Sequence, residues 1–415
     1  MAMISYSGWE YLLIDAASQF GHDKLGFDAR IQWTKENIDN LEAIADQAET
    51  KPLFIKAVMA IRKAQQGIPT GHMVAMDGVC SGIQVMSALT GCIAGARSTG
   101  LIDPGVRADA YTKTTEVMNG ILGGALVVAR KDAKQALMTV MYGSKKTPKD
   151  LFGEDTPELA AFYQAAQTIA PGAWELLQDL LNSWQPYALS HNWKLPDGFD
   201  ARVKVMNKKE LRIEVDELLH ATFSYEFYEN QGEKKGISLP ANVVHSFDAY
   251  VLRCMHRRCN YDRAQAEYVS NCIEMELIQR SLNMSATSQE FMTPKLAYYI
   301  EQYNRSGLAD IVILPYLDQA TVSLLSTEHL QWLANTLEGM LQYQPFELVT
   351  VHDEFKAHAN NINWVRWQYK EILADIADTN VLDDVLSQIN GMPVSFNKLS
   401  FNLGDQIRES EYGLC

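Results

Sequence analysis

Apolar positions in the first 70 residues recur at steps of three and four: Trp9, Leu12, Leu13 and Ala16, then Ile38, Leu41, Ile44 and Ala45. Such steps line one face of an α-helix. A short apolar approach, His72 to Met76, reads as a strand that delivers Asp77. Ser81 to Ala94 reads as a buried helix opened by small residues. A turn at Asp103-Pro104-Gly105 leads to a helix over about Val106 to Ala129. An amphipathic helix, Arg130 to Met141, follows and is stopped by Gly143. Pro157 to Ser183 is again helical in pattern.

From Arg202 the period changes to two. Arg202 to Val205 and Leu211 to Val215 alternate around Asn207-Lys208-Lys209, which predicts a hairpin with its turn there. Thr222 to Phe227 adds a strand, and Gln231-Gly232 a turn. A helix over His245 to Cys259 follows Pro240, and a short apolar run, Phe346 to Val351, ends in His352-Asp353. The remainder is mainly helical up to Ile389, with an irregular tail. Without repeats, low-complexity tracts or a sharp linker, the pattern predicts an α-rich α/β (α+β) protein with interleaved domains.

Composition narrows the class. The 415 residues are 47% hydrophobic and 21% charged, which fits a globular protein of two or three domains and excludes collagen-like, disordered and small disulfide-scaffold chains. Acidic residues outnumber basic ones by 51 to 36. That balance argues against a general polyanion coater. A locally basic cleft remains compatible with nucleic acid, because charge contacts act over about one Debye length, ~8 Å. The six cysteines contain no C-x-x-C pair, which argues against a zinc ribbon and for a reducing compartment. The N-terminal stretch lacks a basic signal-peptide region, and the most apolar internal run, Gly120 to Ala129, is about half the ~20 residues of a spanning helix. The expected location is cytoplasmic.

Four constellations can carry chemistry. In Asp77-Gly78-Val79-Cys80-Ser81-Gly82-Ile83-Gln84, an acid at a strand end precedes a glycine turn into a helix. The Asp77 carboxylate and the Gly78 carbonyl are hard oxygen ligands suited to Mg²⁺; the plainer reading is an Asp that starts a helix. In the second, Arg130, Lys134, Met138 and Tyr142 follow at steps of four and share one broad helix face, with Gly143 next. Two cations and an aromatic hydroxyl could grip a triphosphate and its sugar; the plainer reading is a solvated basic face, against which Leu137, Met138, Val140 and Met141 speak. The third is an apolar strand ending in His352-Asp353-Glu354-Phe355, where a turn Asp is the plainer reading. A metal phosphohydrolase would need further histidines, and only His358 is near. The fourth is Val244-His245-Ser246-Phe247-Asp248 near a helix start, where a lone histidine is more often structural.

In chain order these four resemble the single-subunit, phage-type and mitochondrial DNA-directed RNA polymerases. The first, second and third look like that family's motifs A, B and C. Trp193, Leu195-Pro196-Asp197-Gly198-Phe199 and the run from Gly236 to Arg253 share the likeness, which is sharpest from Asp77 to Phe355. The resemblance implies a right-hand polymerase, with palm residues about 1–93 and 246–415 and fingers about 94–245 carrying a β-hairpin insertion. It implies that Asp77, Asp353 and the Gly78 carbonyl hold two Mg²⁺ ions. Arg130 and Lys134 would contact the triphosphate, Tyr142 would close the nucleotide pocket and help select ribose, and His245 would lie near the 2′-hydroxyl. Tyr111 and Gly143 would face the template. The implied partners are a DNA template, nucleoside triphosphates and an RNA product.

Departures from the family pattern are Val79 in place of a small polar residue and Glu354 in place of serine; neither removes a ligand. The 76 residues before Asp77 contain no Asp-x-x-Gly-Arg-like segment, thumb or promoter-binding region. The chain is therefore expected to be the C-terminal catalytic subunit of a split, two-chain phage enzyme, with a second subunit supplying the N-terminal region and thumb. The rivals are a DNA polymerase of the same superfamily and a catalytically silent palm used as a scaffold.

Overall fold

Val74 and Met76 are buried while Ala75 between them is half-buried and Asp77 after them is exposed. This alternation makes Met73–Asp77 strand β1 in the computed structural model, which describes residues 3–124, 126–234, 236–284 and 292–415. The other strands are β2 (Ser190–Lys194), β3 (Asp200–Lys204), β4 (Met206–Val215), β5 (Ala221–Gly232), β6 (Val349–Val351) and β7 (Glu354–His358). They form three small antiparallel sheets, β1-β7-β6, β2-β3 and β4-β5, in a chain that is 57% helical. The fold is α-rich α+β. Among the described residues no helix is long and apolar enough to cross a membrane.

The three-stranded sheet positions the site. β1 runs against β7 with Met73 opposite His358 and Asp77 opposite Glu354. β6 folds back on β7 with Val351 opposite Glu354, so His352-Asp353 is the two-residue connection. His352 takes a left-handed φ of 56° to close it. The Gly78 N–H donates to the Asp353 carbonyl at 3.1 Å, and Cys415 exchanges backbone hydrogen bonds with Asp77 on the other side.

Around this sheet packs a large core. The Ser81–Thr90 helix is buried from Gly82 to Thr90, as an apolar-all-round helix must be. It packs against the Ser238–Cys259 and Ile362–Asp378 helices. A second core lies within residues 261–343, built on Val269, Ile273, Leu330, Leu333 and Leu337. The boundaries drawn from sequence at 93/94 and 245/246 fall inside the Ile93–Ser98 and Ser238–Cys259 helices.

Several elements differ from the sequence pattern. Arg202 to Val205 and Leu211 to Val215 do not pair: β3 pairs with β2, and β4 with β5. Asn207-Lys208-Lys209 is strand, not turn. β4 is solvated on both faces over most of its length, so polar residues there carry no turn signal. The turn lies at residues 216–220, where Leu219 and His220 are left-handed, and Gln231-Gly232 ends β5. The pattern at Ile38 to Ala45 gives irregular turns and a short 3₁₀ segment, Ala45–Gln47. Pro157 to Ser183 is two helices, broken at Pro171. The helix expected over 106–129 spans Ala110–Ile121 and is followed by left-handed Gly123 and Gly124; residue 125 lies outside the described residues.

Candidate active site

Four elements meet at one cavity of about 490 Å³: the turn after β1, the Arg130–Val140 helix and its end, the Ser238–Cys259 helix and the β6–β7 connection. Its lining includes Ser81, Tyr111, Tyr142, His245, Asp248 and Asp353. Strand pairing sets Asp77 and Asp353 together at one end of the sheet although they are far apart in sequence. Past Asp77 the chain turns sharply through Cys80, which is left-handed (φ 58°), into the Ser81–Thr90 helix. A Cβ at Gly82 would collide with the Tyr142 hydroxyl, so glycine is what lets the Tyr142 ring lie on this turn. Beneath the turn the Tyr369 hydroxyl donates to Gln84 Oε1 at 2.7 Å, and Gln84 donates to the Thr99 and Gly413 carbonyls.

The carboxylates are electrostatically crowded. Asp77 is open to the cleft on one side, yet the protein behind it withdraws water. That desolvation, and then the negative Asp353 and Glu354, push it up to about 6, against a lowering pull from Lys134. Asp248 is pushed up to about 7, first by burial and then by Asp353, while a hydrogen bond with Ser81 opposes the rise.

Lys134 and Arg130 form the opposing basic side. The Arg130 guanidinium lies 5.6 Å and the Lys134 ammonium 5.4 Å from the centre of the Tyr111 ring, so both cations sit on one aromatic face group. Arg130 also donates through Nε and Nη2 to Asp109 Oδ2, at 3.0 and 2.5 Å. The Tyr142 and His245 rings lie against each other with centres 4.7 Å apart and planes tilted by 34°. Burial, and then Asp248, keep the Tyr142 hydroxyl protonated well beyond its ordinary range. Partial withdrawal from water, and then His352, hold the His245 imidazole below its usual value. Gly143 ends the segment with φ 92°, and a Cβ there would lie 3.1 Å from the Ile237 carbonyl oxygen.

Of the expected site residues, Tyr111, Tyr142, His245 and Asp353 line the cavity; Asp77 and Gly78 adjoin it through their pairing with the β6–β7 connection, Arg130 and Lys134 through the Tyr111 ring, and Gly143 follows Tyr142 without lining it. Asp248 and Asp109 were given no role from sequence. Asp248 could have been found as the acid one turn after His245; Asp109 carried only a helix-start signal. The donor set fits a hard divalent cation: two carboxylates converge, one is already raised by the other's charge, and the Gly78 backbone is adjacent. A separate group, Glu214, Asp216 and His220, sits exposed at the turn of a different sheet, β4–β5, where His220 pairs with both acids.

The family model for DNA-dependent RNA polymerase matches residues 3–182, which include Asp77, Arg130, Lys134 and Tyr142. A DNA-directed RNA polymerase of Pseudomonas phage phiKMV is 29% identical over 172 residues, covering 33% of this chain and 21% of the relative. The chain thus matches about a fifth of that relative's length. His245 and Asp353 lie beyond the family match, and it is the sheet register that joins Asp353 to Asp77. Residues 3–182 are thus similar to the DNA-dependent RNA polymerase family.

Proposed function

We propose that this chain performs template-directed RNA synthesis from nucleoside triphosphates, as the catalytic part of a DNA-directed RNA polymerase. The observation that carries the reading is the convergence of Asp77 and Asp353 at one end of the β1–β7–β6 sheet, opposite Lys134. Residues 1–93 and 246–415 would act as palm and 94–245 as fingers. Asp77, Asp353 and the Gly78 carbonyl would hold Mg²⁺, which when bound stabilises the attacking and leaving oxygens of an in-line displacement.

The chain's own residues do the rest. Lys134 and Arg130 neutralise the triphosphate and the charge that develops on the departing pyrophosphate. Tyr142, protonated and packed against His245, closes the sugar side of the pocket and offers a donor to the ribose. Tyr111, held under the two cations, supplies a flat surface for a template base. This polar sugar pocket favours RNA over DNA synthesis. Exposed Leu53, Ile55, Met59 and Ile68 on and just after the Lys51–Gln65 helix support the further reading that a second chain covers that side.

The test is primed RNA extension on a DNA template with Mg²⁺, by the chain alone and with a co-purified partner. Extension that disappears in Asp353→Asn supports the reading. Extension that survives the substitution at full rate, or metal-independent extension, overturns it.

A further inference from the structure

We propose that Asp109 is a positioning residue for the triphosphate: it holds Arg130 in the orientation from which the guanidinium meets an incoming nucleotide. The inference rests on the polymerase reading above and deepens it by adding a residue that touches neither substrate nor metal.

Asp109 caps the Ala110–Ile121 helix. Its Oδ1 accepts from the Tyr111 and Thr112 amides at 3.0 and 3.1 Å. A cap needs no more than that, and asparagine or serine would serve as well. The second oxygen, Oδ2, accepts from the Thr112 hydroxyl at 2.9 Å and from Arg130 Nε and Nη2 at 3.0 and 2.5 Å. Arg130 Nε also donates to the Thr112 hydroxyl at 3.0 Å. Arg130 is the first residue of the next helix. One carboxylate therefore ties together two helix starts, one carrying Tyr111 and the other carrying Arg130 and Lys134.

The pair is not an ordinary surface ion pair. The Asp109 side chain is largely buried and Arg130 is only partly exposed. Burial alone would raise Asp109, but the Thr112 amide and hydroxyl and the Arg130 guanidinium outweigh it and hold it below the usual carboxylate range. Among the described residues Arg130 Nη1 has no hydrogen-bond partner, so an edge of the guanidinium is left for a ligand. A free arginine must freeze several rotamers to bind a phosphate; one already clamped by a planar fork has less freedom to lose.

The experiment is calorimetric titration of the full chain with GTP and Mg²⁺. Asp109→Asn keeps the helix cap and removes the charge that clamps Arg130. It should weaken GTP binding by about threefold to tenfold, the loss expected for one side chain no longer pre-ordered. Its thermal midpoint should stay within about 2 °C of wild type. Arg130→Ala should weaken binding as well, and adding Asp109→Asn to it should weaken binding no further, because the carboxylate acts through that guanidinium. Tighter GTP binding by Asp109→Asn, unchanged binding, or additive losses in the double variant would each overturn the proposal. A wild-type chain that binds no GTP overturns the polymerase reading and this proposal with it; wild-type binding with a silent Asp109→Asn overturns this proposal alone.

Discussion

Two clusters of acids in this chain are built from the same residue types and behave in opposite ways. In the cleft, withdrawal from water and then the Asp353 charge push Asp77 and Asp248 up, against Lys134 and the Gly78 amide at Asp77 and a Ser81 hydrogen bond at Asp248. Between the two cores, Asp197 accepts from Arg253 Nε and Nη2 and from Arg257 Nη1, while Arg257 Nη2 donates to Asp310 at 2.6 Å. There burial pulls Asp310 up, but Arg257 overcomes it and the acid ends below its ordinary range. The paired cluster is complete without a ligand. The crowded one carries negative charge that, among the described residues, Lys134 offsets only in part. A fold tolerates such a site where it gains binding or chemistry, and that is the physical ground for placing function in the cleft.

Breaking the crowded cluster should strike activity hardest. Asp353→Asn should lower RNA extension by ~10³-fold or more, since a metal carboxylate and its share of transition-state stabilisation are lost together. Lys134→Ala should follow with a loss of about 10²–10³-fold, whereas Lys131→Ala, on another side of the helix, should be mild. Single-turnover extension rates measure all three. Equal, mild effects at 131 and 134 would return the helix to a solvated basic face.

Breaking the paired cluster should strike stability instead. Asp310→Asn leaves Arg257 with Asp197, which it shares with Arg253, as its remaining carboxylate and should destabilise the fold by about 1–3 kcal/mol, read as a lowered urea midpoint. The cleft should show the reverse sign. Asp248 has a folded value of about 7 against an ordinary 3.8, so the folded state holds its proton more tightly. The stability it lends is full below pH 3.8 and is lost as pH rises through 7. Asp248→Asn should therefore stabilise the chain in chelator at pH 8, on the order of 2–4 kcal/mol, with the gain fading below pH 4. A destabilised variant at pH 8 would mean that Ser81 or another donor, not crowding, governs Asp248.

The contrast also explains what could be read from sequence. Asp77 at a strand end and the four-residue steps from Arg130 to Tyr142 are local patterns, and local geometry places them as the pattern says. Asp197 with Arg253, Asp109 with Arg130 and Asp248 with Asp353 are pairs set by packing between elements, so no spacing announces them. The likeness at Leu195 to Phe199 and at Leu252-Arg253 gains a physical reason only in three dimensions, as the Asp197 clamp on the long helix. The core within 261–343 was missed because helical periodicity shows that a helix has an apolar face, not which neighbour covers it. The β4–β5 register was missed because β4 is wet on both faces, so the alternation at Leu211 to Val215 marks no buried face and the polar Asn207 to Lys209 no turn.

The smallest effect compares two tyrosines. Tyr343 belongs to the satisfied region: its hydroxyl donates to the Arg258 carbonyl at 2.6 Å and accepts from Gln368 at 2.8 Å. Tyr142 lines the cleft, and among the described residues no protein group hydrogen-bonds its hydroxyl. Removing each oxygen should therefore give different losses. Tyr343→Phe should cost about 1–2 kcal/mol of stability, because a buried carbonyl and an amide lose a partner, and should leave sugar choice alone. Tyr142→Phe should leave stability nearly unchanged and instead raise deoxynucleotide incorporation relative to ribonucleotide by about tenfold, since the pocket no longer holds a polar group that only a 2′-hydroxyl can satisfy. Its metal dependence should not change, because Asp77 and Asp353 are untouched. Competition of matched ribo- and deoxynucleoside triphosphates in one extension reaction measures the ratio. If the ratio stays at its wild-type value, discrimination belongs to His245 packed beside Tyr142, and His245→Ala should then carry the shift that Tyr142→Phe did not.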